Sequence, residues 1–251
     1  GFTADRFETP SVYLDSSSNI QILNNNIHDT SNFCVKMRST APSNASNNVL
    51  IKTNILTHCG GLSLTEPTQA IAVYGNNNLV EDNDISHLDR AFMLNNGGDF
   101  NVFRNNYLHD NFQSDWPGPG WAGPSPQPTW QGHMDAVASM CNTGMLPFHQ
   151  MLIENNYLYN VPDGDSKFAL FQDYGPCGSS DALVRYNTAK NLGSYFLISN
   201  NRVKNVRLYN NSAVDIEIGI IPTKNWEAAY FSQGSTGGKL INNILYNNSV
   251  I

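Results

Sequence analysis

The segment Ile22-Leu-Asn-Asn25-Asn-Ile27 carries a pattern that recurs along the chain: an apolar residue, two variable positions, Asn, any residue and a second apolar residue. In the seven later copies the Asn is Asn54, Asn83, Asn106, Asn156, Asn187, Asn211 or Asn243. Successive Asn residues are 29, 29, 23, 50, 31, 24 and 32 positions apart. A fixed pattern at a period of roughly 20–50 residues is typical of repeat proteins, whose units bury their apolar faces only against neighbouring units.

The residues around each Asn form short β-prone runs. Val12-Tyr-Leu14, Met151-Leu-Ile153 and Ala182-Leu-Val184 are examples, and Asn, Gly, Asp and Ser separate such runs. A second set follows each Asn by about eight residues, as at 33–37 and 168–172. No stretch keeps a 3.6-residue apolar period for three turns, which argues against helices. Two or three short strands in each coil predict a parallel β-solenoid.

The repeated Asn has two physical uses in such a fold. Asn tolerates left-handed backbone angles, and its amide can bond to the neighbouring backbone. Stacked at one corner of successive coils, the side chains can also form an amide ladder. A β-sandwich with Asn-rich turns is the alternative, but it does not require one Asn pattern at a recurring offset.

The pattern resembles the repeat of right-handed parallel β-helix proteins, the pectate-lyase-like superfamily, from residue 20 to about 248. The resemblance implies an all-β, right-handed parallel β-helix of about eight coils with loop insertions. The superfamily holds lyases, hydrolases, epimerases, tailspikes and adhesins, so the resemblance implies no single reaction. The paired-Asp motif of polygalacturonases, the Arg motifs of pectate lyases and the Asp-Pro-His motif of alginate epimerases are absent. Gly132-His133-Met134 matches only two residues of the polygalacturonase Gly-His-Gly motif.

Composition limits the class of partner. The chain has 251 residues, 14 Lys+Arg and a net charge of −7, which argues against nucleic acid or an anionic membrane as partner. The sequence has no run of 18 apolar residues, so no membrane span is predicted. We interpret residues 1–251 as a single β-helix domain. Neither end looks like the cap that a solenoid needs, so we expect a processed product or part of a longer chain, and the open ends leave an oligomer as an alternative.

Four Cys residues favour an extracytoplasmic protein, secreted or on a cell or virion surface. Cys141 and Cys177 fall a few residues after the strands of neighbouring coils, so we predict that they can pair. Cys34 and Cys59 also fall in adjacent coils, but their offsets from the repeated Asn are 9 and 5, and their pairing stays open. No Cys or His cluster has zinc spacing, and no metal is predicted.

The largest break in the repeat, the step of 50, contains a Trp- and Pro-rich insertion at residues 109–133. Trp116, Trp121 and Trp130 lie in it, and a Pro-stiffened loop can present such rings for stacking on sugars. The alternative is that they pack the loop onto the solenoid. A later insertion contains Trp226, which we expect to wall the other side of a glycan groove.

Directly after the first insertion, alternation along the strand places Asp135 on one face with Val137, and Ala136 with Ala138 on the other. If the small Ala residues face inward, Asp135 faces outward beside the Trp insertion. Asp135 is therefore the best candidate for a catalytic acid or base.

The expected partners of Asp135 are His133, Asp110 and Asp173, since carboxylates on adjacent coils can split their pKa values. Lys167 is predicted to neutralise a uronate or a developing charge. The alternative is that these acidic residues cap backbone amides in turns.

Two further groups of residues are secondary. His28, His58, His87 and His109 share a recurring corner position, and recurrence favours a structural ladder over a metal stripe. Ca²⁺ binding at Asp163 and Asp165 is a further alternative. Ca²⁺ needs several oxygen ligands, and two Asp residues alone are too few. No cofactor is expected.

Three hypotheses for function follow. The first is an extracellular enzyme acting on polysaccharides, a glycoside hydrolase or a polysaccharide lyase, that binds a glycan chain along the β-helix. The second is a non-catalytic, glycan-binding rod of the tailspike or adhesin type. The third is a structural assembly module whose open ends stack on further coils.

Overall fold

The computed structural model describes residues 3–5, 10–30, 32–60, 69–88, 91–112, 134–162, 166–175, 177–193, 195–200, 202–216, 229–231 and 234–246. These residues form an all-β parallel β-helix, which confirms the predicted fold class. Each pass of the chain adds one strand to each of three long parallel sheets, in the repeating order sheet A, sheet B, sheet C. The helical element of the described residues is one 3₁₀ turn, Pro42–Asn44. None of those residues belongs to a helix long and apolar enough to cross a membrane.

The strands are short, and most have three to five residues. Sheet A contains β1 (Thr3–Asp5), β4 (Asn26–Thr30), β7 (Ile55–Cys59), β10 (Asp84–Ser86), β14 (Tyr107–His109), β18 (Tyr157–Val161), β21 (Thr188–Leu192), β24 (Ser212–Ile216) and β27 (Ile244–Leu245). Sheet B contains β2 (Val12–Leu14), β5 (Val35–Met37), β8 (Ile71–Val73), β11 (Met93–Asn95), β15 (Val137–Cys141), β19 (Lys167–Asp173), β22 (Tyr195–Asn200) and β25 (Ala229–Phe231). Sheet C contains β3 (Gln21–Leu23), β6 (Leu50–Lys52), β9 (Leu79–Glu81), β13 (Val102–Arg104), β17 (Leu152–Glu154), β20 (Leu183–Arg185), β23 (Arg207–Tyr209) and β26 (Lys239–Ile241). A two-stranded sheet joins β12 (Gly98–Asp99) to β16 (Phe148–His149).

The two apolar residues of the repeated pattern form stacked columns in the core. Ile22 pairs with Ile51 across sheet C, and Ile27 pairs with Leu56 across sheet A. All four are at most 5% exposed. Each coil therefore buries its apolar face on the coils above and below, as expected for a repeat that has no core of its own.

The repeated Asn residues form a continuous, buried amide ladder between sheets C and A. Asn156 Oδ1 accepts hydrogen bonds from the backbone N–H and the side-chain amide of Asn106, both at 3.0 Å. The Asn156 amide donates to Phe103 O and to Asn187 Oδ1, also at 3.0 Å. Side-chain bonds of this kind link all eight Asn residues, from Asn25 to Asn243.

The left-handed residue of this corner is the one before the ladder Asn, which corrects one detail of the sequence interpretation. Asn24, Thr53 and Asp82 have φ values of 56°, 56° and 55°. The ladder Asn residues do not have positive φ. The turn is made one residue earlier, which leaves the ladder side chain directed into the stack.

Three left-handed positions, five residues apart, recur in each coil. They are residues 19, 24 and 29 in one coil, 48, 53 and 58 in the next, and 150, 155 and 160 in a later one. This stretch spans the whole of sheet C and most of the sheet A strand. Its length is constant, so the differences in coil length lie in the remaining part of each coil, which carries sheet B.

The outer face of sheet C carries charges of alternating sign. Lys52 Nζ lies 2.8 Å from Glu81 Oε1, and Arg104 Nε lies 2.7 Å from Glu81 Oε2. Further along, Arg185 Nη2 lies 2.7 Å from Glu154 Oε2. In-register stacking would otherwise place like charges about 4.8 Å apart on neighbouring strands, and the alternation avoids that repulsion.

We expect Asn156→Ala to destabilise the fold by on the order of 3–5 kcal/mol, because two donors of Asn106 and the Phe103 carbonyl lose their buried partner. Chemical denaturation measures this change. The matched control is Asn155→Gly at the neighbouring exposed residue, whose φ of 54° suits Gly; it should cost less than about 1 kcal/mol. Equal losses in both variants would contradict a special role for the ladder.

The second prediction concerns acid stability. The hydrogen bond from Lys52, with further help from Arg104, lowers the pKa of Glu81 although burial opposes the shift. A lowered folded-state pKa stabilises the protein above the ordinary Glu pKa, and the contribution is lost as the pH falls through the lowered value. Glu81→Gln should therefore cost about 1 kcal/mol at neutral pH, since both cations are about 40% exposed.

This difference between wild type and Glu81→Gln should shrink as the pH falls below about 4. Denaturation curves measured from pH 7 to 3 test it. Asp82→Asn is the control, because Asp82 is 38% exposed and contacts Lys52 at 3.2 Å; it should have a smaller effect. A Glu81→Gln penalty that grows on acidification would contradict the assignment.

Candidate functional site

A second buried apolar cluster marks the outer face of sheet B. Its members are separate from the main core: Phe33, Ala72, Leu94, Ala138, Leu170, Tyr195 and Ile198. Five of them are register neighbours on consecutive strands, from Ala72 on β8 to Ile198 on β22. Residues next to them in sequence, such as Ala169 and Leu197, belong to the main core. Because adjacent strand residues point to opposite faces, the second cluster lies on the outer face.

Strict alternation fails just before this apolar column. Ala136 and Val137 are consecutive, yet both belong to the main core. The predicted pairing of Asp135 with Val137 on one face, and of Ala136 with Ala138 on the other, is therefore wrong. Phe168 and Ala169 on β19 show the same consecutive burial. The strand bends at this point, and the residues before the bend lie on the outer face with Tyr195.

The residues before the bend form a mostly polar column on that outer face. Lys167 pairs in register with Tyr195. Val137 pairs with Ala169, and Ala136 N–H donates to Lys167 O at 2.9 Å, which sets Asp135 beside Lys167. Extending the register through Met93 and Ile71 places Ala91 and Gln69 in the same column. The order along the β-helix is Gln69, Ala91, Asp135, Lys167, Tyr195, one residue for each coil.

Asp135 and Lys167 form a buried ion pair. Lys167 Nζ lies 3.8 Å from Asp135 Oδ1, and the side chains are 2% and 1% exposed. Removing two charges from water carries a penalty that their attraction often fails to offset, so an apolar pair of the same volume would serve packing as well or better. Buried, charged and adjacent groups of this kind are concentrated at functional sites.

Tyr174 is coupled to the same face. Its hydroxyl donates to Gln172 Oε1 at 2.6 Å. Burial raises the pKa of Tyr174, the hydrogen bond to Gln172 opposes this shift, and the negative charge of Asp135 adds a smaller increase. The phenol is therefore held protonated within electrostatic reach of the Asp135 carboxylate.

Asp173 is not a partner of Asp135, contrary to the sequence prediction. It ends β19 at the opposite end from Lys167, and its carboxylate accepts hydrogen bonds from the N–H groups of Cys177, Gly178 and Ser179 at 2.9–3.3 Å. Asp173 therefore caps a turn. The alternative stated for the acidic residues holds here.

Asp110 is also misassigned as a partner of Asp135. It directly follows β14 of sheet A, has a φ of 48° and accepts from Asn160 Nδ2 at 2.6 Å. The Asn160 bond, assisted by His109 at 2.9 Å, lowers the pKa of Asp110. Asn191 continues the same stack by donating to Asn160. Asp110 is thus part of a second side-chain ladder at the left-handed position of sheet A.

Two His residues of that corner stack on each other, and a third is held by carboxylates. His58 and His87 rings lie 5.2 Å apart and 6° from parallel. His109 is held between Asp84 and Asp110 at 2.8 and 2.9 Å. These contacts agree with the structural interpretation of the recurring corner.

Several candidate residues lie outside the described residues: His133, Trp116, Trp121, Trp130, Trp226, Asp163 and Asp165. Their predicted roles in catalysis, sugar stacking and Ca²⁺ binding therefore stay predictions.

Two disulfides connect neighbouring coils, Cys34–Cys59 and Cys141–Cys177. Within the described part of the chain, the group with metal-like spacing is Cys141, Asp173 and Cys177. Both thiols are used in the disulfide and the Asp173 carboxylate caps the adjacent turn, so these residues do not fit a metal site.

Gln69, Tyr174 and Tyr195 are residues of this face that the sequence analysis missed. Their distances from the repeated Asn differ: Gln69 precedes Asn83 by 14 residues and Tyr195 precedes Asn211 by 16. Coil length varies between these positions, so no fixed offset aligns them. The only sequence feature that aligns them is the start of a sheet B strand, because Lys167 and Tyr195 are the first residues of β19 and β22.

Comparison with known proteins adds little to this geometry. No protein-family model and no curated protein matches the sequence. Among solved structures, the chain is similar to an alginate lyase from Paenibacillus sp. str. FPU-7, with 10% identity, a TM-score of 0.42, and 98% of this chain and 97% of that chain covered. At this score the likeness carries no argument about the reaction.

The buried pair gives a third prediction. Lys167→Met should destabilise the protein by about 3–5 kcal/mol, because it leaves the Asp135 charge buried. The double variant Asp135→Leu/Lys167→Met should recover most of that loss. The control is Arg38→Met at the exposed Arg38–Asp15 pair, 43% and 35% exposed, which should cost far less because solvent screens an exposed pair. Additive losses in the Asp135 and Lys167 variants would show that the two charges are not coupled.

Proposed function

We propose that this protein is an extracellular enzyme that binds an acidic polysaccharide along the outer face of sheet B and cleaves it by β-elimination beside Asp135, Lys167 and Tyr195. The observation that carries the proposal is the buried Asp135–Lys167 ion pair, next to Tyr195 on the following coil. Two buried charges on an outer face stabilise a solenoid no better than an apolar pair would, so packing alone does not explain them.

The position of sheet B supports a binding role for this face. The stretch from sheet C into sheet A has constant spacing in each coil, whereas the part that carries sheet B varies in length. Insertions in solenoids gather on one face, which is often the binding face. The residue column also runs along the axis with one side chain for each coil, about 4.8 Å apart, which suits an extended chain of sugar units.

The described residues favour elimination over hydrolysis. Glycosidases use two carboxyl groups about 5–9.5 Å apart. On the outer face of sheet B, the described residues offer one such group, Asp135, because Asp173 caps a turn and Asp110 belongs to sheet A. Elimination needs a base, an acid and a cation, and the column supplies Asp135, Tyr195 and Lys167.

In this mechanism the Asp135 carboxylate removes the proton from the carbon next to the uronate carboxylate. The electrons of that C–H bond form the new carbon–carbon double bond, and the glycosidic C–O bond breaks. The Tyr195 hydroxyl donates a proton to the departing oxygen. Lys167 lies between the two and stabilises the negative charge that develops on the uronate. Proton return through solvent restores Asp135 and Tyr195.

Local charge fits an acidic substrate despite the net charge of −7. Lys36 pairs in register with Ala72, which places it on the same outer face, and its Nζ lies 4.5 Å from the Phe33 ring centroid. The face thus has cations at both Lys36 and Lys167. Asp135, Lys167 and Tyr195 are 1–7% exposed, so a reaction at these side chains proceeds largely away from bulk water.

The two disulfides support the extracellular part of the proposal, because disulfides persist in oxidising compartments and are rare in the cytosol.

A second candidate function is glycan binding without cleavage. It is favoured by tyrosines on the outer face of sheet A, where Tyr107 and Tyr157 are 38% and 39% exposed and their rings stack 5.6 Å apart. Such side chains combine a large apolar body with a hydroxyl, as glycan contacts require.

The test is an activity screen on neutral and uronate-containing polysaccharides that records new reducing ends and the absorbance of unsaturated uronates together. We expect both signals on a uronate polymer. Asp135→Asn should lower kcat by at least about 100-fold, the typical share of a general base, with binding retained. Asp15→Asn, at an exposed site on the β-helix surface, should leave kcat unchanged. Reducing ends without absorbance would overturn elimination, and glycan retention without any product would favour the second candidate.

A further inference from the structure

We infer that Gln69 forms a neutral, hydroxyl-recognising subsite on the outer face of sheet B, two coils from Asp135, so that the enzyme holds its substrate by a sugar unit away from the bond that breaks. This inference rests on the proposed function, because it assigns a subsite to the same face.

The position of Gln69 follows from the register. Ile71 pairs with Met93, which pairs with Val137, so Gln69 occupies the place on its coil that Asp135 occupies two coils later. Ala70 belongs to the main core, as Ala136 does. Gln69 therefore lies on the outer face, at about 10 Å from Asp135 along the axis if neighbouring strands are about 4.8 Å apart.

The side-chain oxygen of Gln69 is unsatisfied. Gln69 is 6% exposed, and its Oε1 is a buried atom without a hydrogen-bond partner in the described part of the protein. The amides of the Asn ladder, by comparison, use both their oxygen and their nitrogen. A buried acceptor without a partner costs about 1–3 kcal/mol, so its presence on this face calls for a partner that comes from outside.

The chemistry of that partner is limited. A carboxamide oxygen accepts a hydrogen bond and carries no charge, so it recognises a hydroxyl or an N–H group and cannot neutralise a carboxylate. Sugar hydroxyls meet this requirement. Lys167 and Lys36 bind the charged groups of the glycan, whereas Gln69 binds a neutral group.

The residue between the two polar positions has the smallest side chain of the column. Ala91 occupies the coil between Gln69 and Asp135 and ends at Cβ, and it is 3% exposed. Beside it in the apolar column, Ala72 and Ala138 flank Leu94. A sugar unit over Ala91 can therefore contact Gln69 on one side while the next unit lies at Asp135.

The experiment compares Gln69→Leu with wild type on the uronate polymer and on the shortest oligosaccharide that is cleaved. We expect KM for the polymer to rise about 5- to 10-fold, the equivalent of one neutral hydrogen bond. The value of kcat should stay within about 2-fold, and KM for the shortest oligosaccharide should not change. Gln69→Asn, which keeps the carboxamide, should recover part of the loss. Gln21→Leu, at an exposed Gln on β3 of sheet C, is the matched control.

Thermal denaturation separates binding from a structural role. Replacement of an unsatisfied acceptor by an apolar group of similar shape should leave Tm unchanged or raise it. A fall in Tm together with loss of kcat would overturn the inference in favour of a packing role. An unchanged polymer KM in Gln69→Leu, with Asp135→Asn inactive, would overturn the subsite and leave the proposed function standing. Failure of wild type to cleave or retain any glycan would overturn both.

Discussion

The rest of the structure depends on the buried hydrogen bonds of the Asn ladder. Each Asn after Asn25 accepts from the backbone and side chain of the Asn in the preceding coil and donates to a carbonyl of that coil. Because a buried amide without partners is costly, each coil has to return to this point with the same backbone geometry. That requirement sets the register of sheets C and A on either side of the ladder, and with it the apolar columns of the core.

The corner positions extend this constraint along a coil. Left-handed residues recur five positions apart on either side of the ladder turn, so the path through sheet C and into sheet A has one length. Variation in coil length is left to the part that carries sheet B. There the strands bend, as at Ala136 and Val137, and the bend places a mostly polar column of buried residues on the outer face. The part of each coil with constant length, sheets C and A, thus forms the support, and the part with variable length carries the candidate functional residues.

The fold and the site were predictable to different degrees. The stacked Asn, the short strands and the corner His residues follow from local patterns, which the solenoid repeats in space. The partners of Asp135 do not. Asp110 and Asp173 are close to Asp135 in the pattern, but one belongs to sheet A and the other ends β19 as a turn cap. Lys167 was predicted to neutralise a uronate or a developing charge, which stays a prediction, whereas its ion pair with Asp135 was not predicted.

By itself the sequence determined the parallel β-helix, because the one Asn of each coil marks a corner and the two flanking apolar residues stack in the core. Only the tertiary structure decided which side chains share the outer face of sheet B. Gln69, Asp135, Lys167 and Tyr195 have no common offset from the repeated Asn, since the chain between them varies in length. They meet because parallel pairing aligns strands by their hydrogen bonds and not by their distance in sequence, and the bend before the strand reverses the face that simple alternation assigns.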